Sequence, residues 1–153
     1  MEDRIKLTKQ MHLNFIESEI MNYNYHKVMR MKYQETIDCL NQEYNYLLHN
    51  PPIGGSIIKM PSGSYNNSNW QLEFKGKIGR FEEKRNLEDL YIKRVDKWLS
   101  EISFDSKHLE VVELFMKQGF DAVVVADEVG YAEKNIYRIK DSVLNKIYLR
   151  YFQ

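Results

Sequence analysis

The run AVVVADEVGYAEKNIYRI, residues 122–139, leaves a chain few ways to fold. If Ala122 opens a helix, Val125, Ala126 and Val129 share one face, Gly130 ends it, and Ile136 and Ile139 recur on the inner face of a second helix. Each residue type suits two helices crossing steeply over a short turn. Ala126 is small where the second helix passes, Gly130 can take the positive φ of a sharp exit, and the β-branched pair fills the angle between the axes. The expectation is a helix-turn-helix. Three consecutive valines, Val123 to Val125, also fit a buried strand, and periodicity over so short a run does not separate the two. The order around them favours the helical reading: helix, Gly-Phe-Asp, helix, Gly-Tyr, helix.

With that inner face assigned, Glu133, Lys134, Asn135, Tyr137, Arg138 and Asp141 are left pointing outward. Guanidinium and amide groups are the usual bidentate partners of guanine and adenine, and an α-helix fits the major groove. Asn135 and Arg138 are therefore the candidates for base contacts. Lys134, Tyr137, Lys140 and Lys146 are candidates for phosphates, which fix register without reading sequence. Tyr131 to Arg150 carries five basic residues against Glu133 and Asp141, a local cationic patch in a chain whose formal net charge is zero.

Gly119-Phe120, Val125-Ala126-Asp127-Glu128-Val129-Gly130-Tyr131 and Asn135-Ile136-Tyr137-Arg138-Ile139-Lys140 resemble the C-terminal DNA-binding part of sigma factors. More narrowly they resemble the sigma-like regulators of phages and prophages of Gram-positive bacteria, of the ArpU and RinA type. The specific match covers about Leu109 to Ile147, with a looser likeness over the rest. The resemblance implies a DNA-binding transcription regulator, an activator of late genes acting with host RNA polymerase. Its base-reading surface would fall on Glu133, Lys134, Asn135, Tyr137 and Arg138. One residue departs from the pattern: such families usually begin the second helix with Ser or Thr, and here Ala132 stands there, at a cost of about 1 kcal/mol for the lost cap.

The N-terminal part reads as scaffold. Leu13, Ile16 and Ile20, with Phe15 and Met21 beside them, recur at helical spacing over about Asp3 to Tyr23. After the polar break Asn22 to Asn24, Tyr33, Ile37, Leu40, Tyr44 and Leu47 step along a second helix that stops before Pro51-Pro52. A helical hairpin over residues 1–49 follows. Residues 50–70 hold all three prolines and read as a flexible linker, in which Ile57-Ile58 is the apolar point able to dock. Phe74, Ile78, Phe81, Arg85, Glu88, Ile92, Val95, Leu99 and Ile102 alternate steps of four and three, predicting a long helix over 71–104, interrupted at its seam by Arg85 and Glu88. It is expected to pack on the N-terminal helices as a three-helix bundle, the rival being a dimer-forming coiled coil. Trp98 anchors its end. Ser103, Asp105 and Ser106 are candidate caps for a helix over Lys107 to Gln118 with Leu109, Val112 and Phe115 or Met116 inward; residues 105–153 would form the DNA-binding domain. The apolar tail YLRYF suggests that the last helix continues to Tyr148 or beyond and docks on the body or on a second chain.

The fold class implied is all-α. Cys39 is alone, so no disulfide framework or cysteine zinc site is expected, which suits a reducing cytoplasm. The opening MEDRIKLTKQ lacks the apolar core of a signal peptide and no run reaches the length of a membrane span, so the expected location is the cytoplasm of a bacterial host, with no membrane partner. No phosphate-binding glycine loop, nucleophile elbow or metal spacing is present; His12, His26, His49 and His108 are scattered, and neither enzyme activity nor a cofactor is expected. The partners expected are double-stranded DNA at a promoter or operator, with host RNA polymerase or a second copy of the chain meeting the N-terminal helices. Two rivals carry the same sequence features: a helical interaction adaptor or inhibitor from a mobile element, and a small-terminase-like phage packaging subunit.

Overall fold

In a computed structural model, residues 2–51 and 67–153 are described. Every regular element among them is helical. The order is α1 (Glu2–Met21), α2 (Tyr23–His49), α3 (Asn67–Glu101), α4 (Ser106–Val111) continued by a π-helical segment (Val112–Lys117), α5 (Ala122–Val129) and α6 (Glu133–Tyr151). The strand reading of Val123 to Val125 is thereby excluded. Most of the proposed linker, including Ile57-Ile58, lies outside the described residues, and its last residues already belong to α3, which starts at Asn67. No described helix is long and apolar enough to cross a membrane.

The chain divides into two compact units, Met1–Lys27 with Leu90–Gln153 and Val28–Asp89, a partition that differs from the boundaries read in the sequence. The expected hairpin of the first two helices is one reason. At the polar break only Asn22 leaves the helix, while its N–H still bonds to Ser18 O and its carbonyl still accepts from His26 N, both at 3.0 Å. Helical hydrogen bonding on both sides of one residue makes an interruption, not a reversal of the chain. α1 packs instead on α6 and the π-helical segment.

In the first unit Ile16 and Ile20 of α1, Ile92, Val95 and Trp98 of α3 and the inner faces of the C-terminal elements form a single apolar cluster. α1 is held to α3 by Arg94, which meets Glu19 at 3.1 Å and lies over the Phe15 ring at 5.5 Å. Tyr23 donates to Asp96 Oδ1 at 2.7 Å. Its ring is covered by the Lys117 ammonium at 3.9 Å; that side chain is only 12% exposed and also meets Glu113 at 3.4 Å. A half-desolvated cation over an aromatic face is a strong version of this contact, worth about 2 kcal/mol. The tail docks as expected: Phe152 packs against Trp98 and Phe15 with ring centroids 5.9 and 6.1 Å apart.

Asp105 is the cap of α4, its carboxylate accepting from Lys107 N at 2.8 Å. The helix expected over Lys107 to Gln118 is regular only to Val111; beyond it the bonding widens, with Gln118 N reaching back to Glu113 O. Val111 and Val112 are both fully buried, which puts the centre of the inward face between them and leaves Leu109 about a third of a turn off it, at 37% exposed. The expectation of an inward Leu109 is corrected on that ground. Met116 is buried and Phe115 half-buried.

The second unit consists of α2 from Val28 and α3 up to Asp89. Its contacts are made by long side chains: Tyr44 against Trp70 and Phe74, Tyr33 against Phe81, and the ion pair Arg30–Asp89 at 2.8 Å. Arg85, the charge at the seam, is half-buried and donates to Gln34 Oε1 at 2.9 Å. It therefore matches a polar residue of α2 within the same chain.

Candidate nucleic-acid interface

α5 and α6 are separated by Gly130, Tyr131 and Ala132. Gly130 has φ 78°, ψ 30°, the left-handed conformation that residues with a Cβ rarely adopt. That geometry turns the amides of both Gly130 and Tyr131 back to the Ala126 carbonyl, at 2.9 and 3.0 Å. The Val129 carbonyl is satisfied from outside the motif by Lys107 Nζ at 2.7 Å. Ala132 stands at the start of α6 in extended conformation with no side-chain cap bond, as its methyl group dictates. Val125, Ala126 and Val129 of α5 and Ile136 and Ile139 of α6 are buried together.

The surface of α6 follows from that burial. Glu133, Lys134, Tyr137, Arg138 and Asp141 are exposed, and Asn135 is half-buried. Lys134, Arg138 and Asp141 rise along one stripe at helical spacing. Glu133 sits in the first turn, where a carboxylate favours the helix dipole. Tyr137 leans on Phe115, edge to face at 5.5 Å, so its ring is supported while remaining 47% exposed. Two residues of the sequence-derived set stand apart. Lys140 is half-buried with its ammonium 3.1 Å from Glu17 of α1, so its charge is engaged inside the unit. Lys146 lies further along α6 over the Phe104 ring at 5.7 Å.

Three residues that sequence reasoning did not select join Asn135 and Arg138. His108, Tyr131 and Ser142, with Ile139 beneath, complete an open cleft of about 340 Å³ on the flank of α6. Asn135, Arg138 and Ser142 step by three and four, a row visible in the sequence; nothing there places His108 beside it. His108 Nδ1 is buried and lacks a hydrogen-bond partner among the described residues. Such a group costs about 1–3 kcal/mol while it stays unmatched.

The outer face of α5 has a different character. Val123 and Val124 are 55% and 52% exposed, with the exposed carboxylates of Asp127 and Glu128 beside them. Asp121, at the start of that helix, makes no side-chain cap bond. Among the described residues no group of three His, Cys, Asp or Glu is placed to hold a metal ion.

Comparison with protein-family models, with curated proteins and with solved structures returns no match to this chain.

Proposed function

We propose that the protein is a sequence-specific DNA-binding transcription regulator that places α6 in the major groove. On this reading it resembles the sigma-like late-gene activators of phages, acting with host RNA polymerase. The observation that carries the reading is the outward stripe of α6: Lys134 and Arg138 are exposed and, among the described residues, engaged by no hydrogen bond or ion pair, beside the half-buried Asn135 amide. Arg138 and Asn135 supply the bidentate groups suited to guanine and adenine, and Lys134 supplies a phosphate contact. Glu133 supplies the carboxylate suited to a cytosine amino group. The formal charge of the chain is zero, so affinity rests on this patch and falls steeply with salt.

The test is retention of duplex fragments from the protein's own genetic neighbourhood at two salt concentrations, with an Asn135→Ala/Arg138→Ala variant alongside. One fragment is retained, more weakly at the higher salt. Arg138→Ala alone costs about 1–3 kcal/mol at that fragment and relaxes its specificity. Equal retention of every fragment by wild type and variant sinks the assignment.

The outer face of α5 favours a second reading, a helical adaptor that docks on protein. Exposed valines flanked by Asp127 and Glu128 repel a phosphate backbone and suit a partner carrying apolar and basic side chains. This reading expects no salt-dependent retention of any fragment, and loss of partner binding in Val123→Asp.

A further inference from the structure

We infer that the cleft between the start of α4 and the flank of α6 is a seat for a phosphate group. The inference extends the DNA-binding reading, on which only its backbone form depends; in that form Arg138 and Asn135 hold a phosphate in place of the bases assigned to them above, so that Arg138→Ala weakens binding without relaxing specificity. Its residues come from three elements that the fold alone brings together: His108 from α4, Tyr131 from the turn, and Asn135, Arg138 and Ser142 from α6.

The chemistry of that set is one-sided. Every polar group there can donate a hydrogen bond, although the amide, the hydroxyls and the imidazole can also accept; the Arg138 guanidinium only donates, and no carboxylate lines the cleft. The positive charge of the cleft is that of Arg138. Among the described residues Arg138, Asn135 and Ser142 spend no side-chain hydrogen bond elsewhere, while His108 lines the cleft with its ring, its Nδ1 being buried away from solvent. A site of unspent donors with net positive charge selects an oxyanion. The planar fork of Arg138 favours one presenting two oxygens side by side, as phosphate does. A volume of about 340 Å³ is ample for a phosphate with part of the chain that carries it. Two sources present this chemistry: a phosphodiester of the DNA backbone beside the groove that α6 enters, and free phosphate or a phosphate monoester.

The experiment follows the imidazole signals of the full chain by NMR during titration with inorganic phosphate and, separately, with the retained duplex. Phosphate shifts the His108 ring, leaving His12, His26 and His49 in place, and Arg138→Ala abolishes the shift. For the backbone form, His108→Leu and Ser142→Ala each weaken binding to the retained duplex and to unrelated duplexes by the same factor, about fivefold to tenfold, because a phosphate contact carries no sequence. Thermal melts of both variants establish that they fold; Ser142→Ala carries the comparison if His108→Leu does not.

A His108 shift with phosphate alongside unchanged duplex binding by both variants supports the seat and assigns it to free phosphate. A His108 shift from a chain that retains no duplex supports the seat while removing the DNA-binding reading. A ring unmoved by phosphate and by duplex overturns the seat, and retention of one fragment in the same preparation then leaves the DNA-binding reading standing.

Discussion

The unit made of Met1–Lys27 and Leu90–Gln153 gathers eighteen buried side chains into one cluster, whereas in Val28–Asp89 only Ile37 and Trp70 are buried among the described residues. The difference lies in how helices of different length meet. In the first unit several elements, α5, α6, α1 and the π-helical segment among them, pack on one another, and small β-branched residues from each enclose one another. Two long helices lying side by side share a single seam, and each seam residue keeps an edge toward water. The second unit compensates with size: Tyr33, Tyr44, Trp70, Phe74 and Phe81 span the gap with rings. Exactness of fit thus belongs to the C-terminal elements and bulk to the second unit, and the two should respond differently to the same substitution.

The widest separation is expected between Ile136→Ala and Ile37→Ala. Ile136 is fully enclosed within the large cluster, and its loss is about 4 kcal/mol; Ile37 lies in the unit with only one other buried side chain among the described residues, where the surroundings can close in, and its loss is about 2 kcal/mol. Urea denaturation monitored at several wavelengths measures both, and equal losses would remove the distinction between the units. Next in size is the Lys117 contact with Tyr23. A double-mutant cycle of Lys117→Met and Tyr23→Leu should show a coupling of about 1–2 kcal/mol, as a shielded cation over a ring requires. A coupling near zero would mean that Lys117 contributes only its aliphatic stem.

Gly130→Ala tests the turn by itself. A Cβ at that position would meet nothing within 4 Å, so any loss comes from the positive φ alone, about 1–2 kcal/mol in thermal unfolding. Stability equal to the wild type would show that the turn relaxes out of the left-handed region. Smallest is the ion pair of the second unit, Arg30–Asp89, whose side chains are 40% and 29% exposed. Its coupling, from the cycle Arg30→Ala with Asp89→Ala, should be about 0.2–1 kcal/mol and should fade at high salt. A larger, salt-independent coupling would make the second unit a more specific structure than its burial suggests.

The all-helical class, the inward stripe Val125, Ala126, Val129, Ile136 and Ile139, the left-handed Gly130, the Asp105 cap and the uncapped start at Ala132 were all legible in the linear chain. Each depends on a period of 3.6 residues or on the conformational range of one residue type, which neighbours in sequence determine. The outward display of Lys134, Tyr137 and Arg138 followed by subtraction from the same period. Only the tertiary structure decided the rest. It engaged Lys140 with Glu17, set Lys117 over Tyr23, drew α1 onto α6, and brought His108 beside Asn135, Arg138 and Ser142. These pairings join residues tens of positions apart, and periodicity says which way a side chain points without saying what stands opposite. What stands opposite depends on how the axes cross, and that is set by the packing of the whole cluster.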